Sequence, residues 1–274
     1  MRRLVVLAVS FCLLLSACSG FEEPDFPESA IPFAPPPEYR VWWEVLEGCS
    51  GHRARFDDIR WFKAPFGDIR PDGKLAYGVW FARSNRIAVI SNWESNALVR
   101  HEMLHAILQD GSHPDEFFKQ RCGDLVLCGR DCPRAEAPPN AVPVSLGDLE
   151  LELEVFPRVP SLARYDGAVS FVLKVRNTTG HNAYIDIRSW RTSQCDAGVV
   201  VLSEKDQSRS ALLCDYVGLG GLPAYFHGNE TRSILLDMRL QHLSGQGPFF
   251  AEPLIIGGVL GNNVRHTRRI TVLP

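Results

Sequence analysis

The sequence predicts an α+β protein in which a small N-terminal part with helices and a few strands is followed by an all-β part. Two observations support this. Between residues 38 and 110, apolar side chains recur at helical spacing in two segments, and short β-type runs lie between them. From Pro138 onward the period changes to two, as in Leu149–Val155, where Leu and Val alternate with Glu. We therefore expect one domain over residues 38–137 and a second over residues 138–274.

The first residues have the pattern of an export signal. Arg2 and Arg3 precede an apolar run from Leu4 to Leu15, which is too short to span a bilayer, and small residues then precede Cys18. This stretch resembles bacterial lipoprotein signals; an ordinary signal peptide is the alternative. The resemblance implies removal of residues 1–17, lipid attachment to Cys18, and anchoring in the cell envelope, at the outer membrane if the cell is Gram-negative.

The segments before the second helix can be assigned in order. Gly20–Pro37 is acidic and rich in proline, so we expect residues 18–37 to form an extended tether. A helix follows, with Tyr39, Trp42, Trp43 and Leu46 on its apolar face. Ile59–Phe62 is predicted to be a strand, and Tyr77–Phe81 with Arg86–Ile90 to be a hairpin.

The second helix carries the most informative motif of the chain. His101, Glu102 and His105 stand at H-E-x-x-H spacing within an apolar helical pattern. Because residues four apart lie on one helix face, both imidazoles can bind a single metal ion. Glu102 is rotated about 100° from His101 and is placed to take a proton from a water molecule on that metal. Ser91 with Glu94 can cap this helix, and Gly111 suits its left-handed end.

This helix resembles that of the zincin metallopeptidases, and the looser likeness extends from Glu38 to Cys132. The resemblance implies a small zincin-like catalytic domain, one Zn²⁺ per chain held by His101 and His105, and Glu102 as the general base. It also implies a peptide or protein substrate, which would bind along the predicted hairpin by strand addition.

The third zinc ligand is not given by the motif itself. The metzincin subgroup has a glycine and a histidine where this chain has Leu108 and Gly111, and Glu136 lies in an Ala/Pro-rich stretch unlike the helix that supplies a glutamate ligand in gluzincins. His113 is our candidate, since the chain can reverse at Gly111 and return it to the metal; an ordinary loop histidine is the alternative. Asp110 is either a partner of a ligand histidine or a surface acid.

The cysteines fit an oxidising compartment, because six remain outside the signal segment and imply three disulfides. If each disulfide forms within one predicted domain, the favoured pairs are Cys49 with Cys122, Cys128 with Cys132, and Cys195 with Cys214. The competing interpretation is a second zinc site built on Cys122, Cys128 and Cys132.

The C-terminal part shows alternating apolar residues in a series of short segments, which is typical of an immunoglobulin-like β-sandwich. The alternating glutamates of the first segment indicate a solvated sheet face. A calcium site built on these glutamates is the alternative interpretation. The predicted strands are Leu149–Val155, Val169–Val175, Ile185–Ile187, Val199–Leu202, Ile234–Leu240, Leu254–Val259 and Arg269–Leu273.

Taken together, these features predict an exported, lipid-anchored zinc metallopeptidase. The formal net charge of −3 gives no indication of nucleic-acid binding. The alternative, from a different class, is an envelope binding or adhesion lipoprotein whose β-sandwich engages a cell-surface protein partner and whose zincin-like domain is inactive. A sandwich that inhibits the peptidase by covering its cleft is a third hypothesis.

Overall fold

The fold combines helices with mixed and antiparallel sheets, as the predicted α+β class requires. No helix in the described part of the chain is long and apolar enough to span a membrane. The predicted signal segment and the lipidation residue Cys18 lie outside the described residues. The computed structural model describes residues 24–91, 96–126, 138–184, 197–204, 210–215, 225–240, 253–260 and 263–273.

The N-terminal part is built on a four-stranded sheet in the order β1-β2-β4-β3. Strands β2 and β4 are parallel, whereas β1 with β2 and β3 with β4 are antiparallel. The predicted hairpin is confirmed as β3 and β4, and β3 forms the outer edge of the sheet. The strands are β1 Ile31–Pro32, β2 Arg60–Ala64, β3 Gly78–Phe81 and β4 Arg86–Ile90.

Two helices cover one face of this sheet, α1 (Glu38–Ser50) and α2 (Asn96–Leu108). The predicted aromatic face of α1 is buried in a core that also contains Met103 and Leu104 of α2. Gly51 ends α1 in the left-handed conformation, and its N–H donates to the Glu47 carbonyl at 3.0 Å. The position of α2 is therefore fixed by apolar packing on α1 and on the sheet.

The segment predicted as a tether is partly folded, which corrects that prediction for the residues from 24 onward. Phe26 contacts the rings of Phe62 and Phe81 at centroid distances of 4.8 and 4.9 Å. Ile31–Pro32 adds a strand to β2. Phe26, Ala30 and Phe33 thus pack against buried clusters, which composition alone did not reveal, whereas Ile31 stays exposed.

The C-terminal part contains two antiparallel sheets, in the orders β12-β7-β6 and β10-β9-β13-β14, and a smaller sheet in the order β11-β8-β5. Inward-facing residues of β6, β7 and β12 share one core with Val199, Val201 and Ile270 of the opposing sheet. The prediction missed β10 and the short strands, and the predicted strand Ile185–Ile187 lies outside the described residues. The strands are β5 Val142–Pro143, β6 Leu149–Phe156, β7 Ala168–Asn177, β8 Ala183–Tyr184, β9 Ala197–Ser203, β10 Ser210–Asp215, β11 Tyr225–Phe226, β12 Thr231–Arg239, β13 Pro253–Leu260 and β14 Asn263–Thr271.

The alternating glutamates of β6 lie on the solvated face of the sheet, as predicted. Each faces a basic residue of the neighbouring strand β7. Lys174 lies 3.7 Å from Glu152 and 3.0 Å from Glu154, and Arg176 lies 3.8 Å from Glu150. These cross-strand ion pairs account for the acidic row without a bound cation.

The N-terminal and C-terminal parts share an apolar contact along α1. Val41 and Val45 of this helix pack with Phe156, Ala168 and Val172 of β6 and β7 in one buried cluster. Polar contacts surround it. They include Arg239 with Glu38 at 2.8 Å, Arg164 with Glu44 at 2.6 Å and Arg232 with Asp124 at 2.8 Å.

Candidate metal centre

Three histidines converge at the C-terminal half of α2. His101 and His105 come from adjacent turns of the helix, and His113 comes from the segment that follows it. The Nε2 atom of His101 lies 3.1 Å from that of His105 and 3.0 Å from that of His113. A tetrahedral zinc ion with Zn–N bonds of about 2.0–2.1 Å separates its nitrogen ligands by roughly 3.3–3.4 Å. The two distances from His101 are close to this separation, and the ligand atoms of all three histidines lie within 4.8 Å of one another, so the cluster could hold a metal ion.

The return of the chain to the metal centre depends on Gln109. This residue follows α2 with φ at 54°, so it occupies the left-handed position that the sequence had assigned to Gly111. Gly111 is not among the residues with positive φ, and the prediction for it was wrong. After the turn, the backbone N–H of Asp110 donates to the His105 carbonyl at 3.2 Å, and His113 follows three residues later.

A backbone carbonyl fixes the orientation of His105. The Asp110 carbonyl oxygen lies 2.7 Å from His105 Nδ1, and since a carbonyl only accepts, Nδ1 carries the proton. The lone pair of Nε2 then faces the other two histidines, as a metal ligand requires. The Asp110 carboxylate instead accepts a hydrogen bond from the backbone N–H of Ser112 at 2.8 Å.

Burial keeps His105 in the form that binds metal. The side chain is 5% exposed, and this desolvation lowers its pKa to about 4, from an ordinary value of 6.5. His105 is therefore neutral at physiological pH. Because metals bind the unprotonated imidazole, the site does not have to lose a proton from this residue before loading.

One phenylalanine ring contacts all three histidines. Phe118, which is fully buried, belongs to the π-helix Glu116–Arg121, and its ring centroid lies 5.0, 4.7 and 4.8 Å from those of His101, His105 and His113. Nothing in the motif spacing predicted this residue. The acidic residues beside it, Asp115 and Glu116, pair with Lys119 and Arg121, and they do not join the histidine cluster.

Glu102 points away from bulk solvent toward strand β3. Its side chain is 4% exposed, and this burial raises the pKa of the carboxyl to about 8. The carboxyl accepts a hydrogen bond from the backbone N–H of Trp80, which partly opposes the shift. A Cβ atom at Gly78 would lie 2.9 Å from Glu102 Cγ, so these two residues are in close contact. The ring of Tyr77, the residue before β3, lies 6.3 Å from that of Phe66, measured between centroids.

A disulfide braces this region. Cys49, near the end of α1, is bonded to Cys122, directly after the π-helix, with 5.5 Å between their Cα atoms. Because Cys122 is in a disulfide, it is not available as a thiolate for the alternative zinc site. Cys128, Cys132 and Cys195 lie outside the described residues, as does the side chain of Cys214.

Comparisons with known proteins give no relative for this chain. No family model matches it, and no curated protein matches it. Solved structures align with 46% of the chain but at low similarity. One is an alkylpurine DNA glycosylase from Pseudomonas fluorescens, at 6% identity over 31% of its own length with a TM-score of 0.32. Another is a β-glucosidase from Listeria innocua, at 7% identity over 16% of its length with a TM-score of 0.26. Likenesses at this level carry no functional argument, and the chain spans a third or less of those proteins.

Proposed function

We propose that this protein is an exported, zinc-dependent metallopeptidase, with His101, His105 and His113 as metal ligands and Glu102 as general base. The observation that carries the proposal is the convergence of three imidazole Nε2 atoms beside a glutamate of the same helix. Three histidine nitrogens are one of the ligand sets of catalytic zinc sites, which leave a fourth position for water or substrate.

The protein groups have separate roles in the proposed reaction. His105 is held in the ligand tautomer by the Asp110 carbonyl, and Phe118 excludes water from the back of the site. A Zn²⁺ ion held by the three histidines would supply Lewis acidity, the chemistry by which zinc sites activate water and polarise a carbonyl. Glu102, whose ionised form the charge of a bound cation would favour, would take one proton from the attacking water and deliver it to the leaving nitrogen, so that one amide and one water yield a carboxylic acid and an amine.

The substrate would lie along the outer edge of β3. This strand ends the sheet order, and among the described residues it pairs only with β4. An extended peptide can add to such an edge through the main-chain groups that remain available, which do not include the Trp80 N–H because it donates to Glu102. The contact between Gly78 and Glu102 brings this edge next to the proposed base.

The wider organisation is proposed on the sequence. Residues 1–17 would be removed as a lipoprotein signal, leaving Cys18 as a lipid anchor in the cell envelope. Residues 38–137 would be a zincin-like catalytic domain, and residues 138–274 an immunoglobulin-like β-sandwich that contacts a protein partner or positions substrate.

One observation favours the alternative function, an envelope binding lipoprotein with an inactive zincin-like domain. The Glu102 carboxyl is buried and bonded to the Trp80 backbone, an arrangement that a domain without catalytic activity would tolerate. Under this alternative the C-terminal sheets would carry the function, and zinc would be structural or absent.

Elemental analysis is the deciding experiment. The protein without residues 1–18 is purified, stripped with chelator, reloaded with zinc and assayed against a mixture of unstructured peptides. We expect one zinc per chain and peptide hydrolysis, and we expect Glu102→Gln to keep the zinc and lose the hydrolysis. Folded protein that binds no zinc would overturn the proposal. Zinc binding with no cleavage of any peptide would favour the alternative.

A further inference from the structure

Strand β3 presents alternate backbone groups to the edge at which no other described strand pairs with it. Ile90 N–H donates to the Tyr77 carbonyl at 2.9 Å, so these two residues form a hydrogen-bonded pair of the β3–β4 ladder. In an antiparallel ladder, hydrogen-bonded and non-hydrogen-bonded pairs alternate. Gly78 and Trp80 are therefore the residues whose N–H and C=O groups point away from β4.

The Trp80 N–H at this edge is taken by Glu102, which accepts it as a hydrogen bond. Trp80 is itself firmly placed. Its indole is 7% exposed in the core shared with α2, and Nε1 donates to the Asn85 side chain at 3.2 Å. The donor that meets the Glu102 carboxyl is thus part of a rigid strand and does not rely on a mobile side chain.

Gly78 supplies the space in which the Glu102 side chain lies. A Cβ atom at residue 78 would stand 2.9 Å from Glu102 Cγ, 3.0 Å from Oε1 and 3.2 Å from Cδ. Gly78 does not have a positive φ, so its backbone conformation is open to any residue. The need for a glycine at position 78 therefore comes from the close approach of the Glu102 side chain and not from the backbone conformation.

We infer that Gly78 is a positioning residue for Glu102: the absence of a side chain at position 78 lets the Glu102 carboxyl lie against the edge of β3, where the Trp80 N–H holds it. This inference rests on the proposed function, because it assigns a role in placing the general base. Any Cβ at residue 78 displaces the carboxyl from the Trp80 N–H. Misplacing a catalytic group by about 1 Å can lower the rate on the order of 100-fold.

The test is Gly78→Ala, with Gly180→Ala as the matched control. Gly180 also lacks a positive φ, lies in the C-terminal part and has no atom within 4 Å of the position that a Cβ would take. We expect Gly78→Ala to keep one zinc per chain, to leave KM within about 3-fold and to lower kcat by roughly 10- to 100-fold. Gly180→Ala should leave both constants unchanged. A zinc-replete Gly78→Ala with the kcat of the natural chain would overturn the inference.

Glu102→Asp completes the test as a double-mutant cycle. Aspartate is shorter by one methylene and withdraws the carboxyl from residue 78. We therefore expect Gly78→Ala to lower kcat by less than about 3-fold in the Glu102→Asp background. If Gly78→Ala lowers kcat by the same factor in the Glu102→Asp background as in the natural chain, the inference is overturned. If Gly78→Ala alone does not fold, the double variant should fold, because the close contact is relieved; failure of both would also overturn it.

A second readout separates this inference from the proposed function. Thermal unfolding of the zinc-loaded variants measures the same coupling without any assay of hydrolysis. We expect Gly78→Ala to lower the melting temperature by several degrees with Glu102 present and by less in the Glu102→Asp background. Zinc-loaded natural chain without peptidase activity refutes the proposed function and with it the catalytic role of Gly78. Additive effects in melting, in a chain that does hydrolyse peptides, refute the role of Gly78 alone.

Discussion

His105 donates a hydrogen bond from Nδ1 to the backbone carbonyl of Asp110, at 2.7 Å. The acceptor lies five residues further along the chain, on the turn that brings His113 back to the same centre. One hydrogen bond therefore sets the tautomer of a proposed ligand and also fixes the path of the chain to the next one. The geometry of the three histidines depends on the conformation of this turn as well as on helical spacing.

The turn can be tested at Gln109, which holds a left-handed conformation that glycine adopts without a steric penalty. We expect Gln109→Gly to unfold at higher urea concentration than Gln109→Ala, by about 1 kcal/mol in the free energy of unfolding. Zinc affinity should change in the same order. Equal stabilities of the two variants would show that the left-handed conformation is not maintained in solution.

His113 is the proposed ligand that helical spacing alone does not supply. We expect His113→Ala to weaken zinc binding by more than about 100-fold, since loss of an outer partner alone costs 10- to 100-fold. Competition with a zinc chelator measures this. His181→Ala is the control, because His181 lies outside the histidine cluster. A His113→Ala variant with unchanged zinc affinity would exclude His113 from the site.

The raised pKa of Glu102 predicts a pH dependence in the zinc-free protein. Its folded pKa of about 8 exceeds the ordinary value of 4.5. The stability that it contributes is therefore complete below pH 4.5 and is lost as the pH rises through about 8. Glu102→Gln has no ionisation at this position, so we expect it to exceed the natural chain in stability by about 1–4 kcal/mol at pH 8, with a smaller difference at pH 5. Urea unfolding of both zinc-free proteins at the two pH values measures this. The expectation is wrong if the difference in unfolding free energy between Glu102→Gln and the natural chain is no larger at pH 8 than at pH 5.

The disulfide between Cys49 and Cys122 closes a loop that contains strands β2, β3 and β4 and helix α2. We expect the double substitution Cys49→Ala with Cys122→Ala to lower the free energy of unfolding by about 2–5 kcal/mol, because the unfolded chain gains conformational freedom. Chemical denaturation under non-reducing conditions measures the change. A reductant should destabilise the natural chain by more than it does the double variant; an equal effect on both would place the relevant disulfide elsewhere.

Asp237 connects the two parts of the molecule. It accepts hydrogen bonds from Trp42 Nε1 at 3.0 Å and from Ser170 Oγ at 2.6 Å. We expect Asp237→Ala to lower the free energy of unfolding by about 1.5–3 kcal/mol, since its removal leaves the Trp42 N–H without this acceptor. Glu204→Ala, which removes an exposed ion pair with Arg269, should change it by less than about 1 kcal/mol. Similar losses of unfolding free energy in the two variants would show that the hydrogen bonds of Asp237 contribute no more stability than an exposed ion pair.

Helical and strand periodicity predicted the elements that carry the site, because the patterns of α2 and the hairpin are local. The spacing of His101 and His105 similarly follows from 3.6 residues per turn. The role of Asp110 did not follow, since a backbone carbonyl is common to all residues and its direction depends on the turn. The sequence placed that turn at Gly111, whereas the chain reverses at Gln109, because glycine frequency is only a statistical guide to a left-handed position.

Contacts between distant segments were the other features that the sequence did not reveal. Gly78 lies 24 positions before Glu102, and Phe118 lies in a separate helix after the motif. Neither residue therefore belongs to a spacing pattern. The glycine at the start of a predicted strand was nevertheless a signal, because glycine within strands often marks close approach of another group. The packing of Phe26 was hidden by the prolines and acids around it.

The apolar contact of Val41 and Val45 with Phe156 and Val172 has a consequence for protein engineering. Helix α1 has two buried faces, one in the core shared with the N-terminal sheet and α2 and one toward the C-terminal strands. Grafting the histidine site onto another scaffold would therefore require a redesigned α1 with a polar outer face. Conversely, exchanging the C-terminal strands for those of a different protein would require matching the shape of this helix as well as the point of chain attachment.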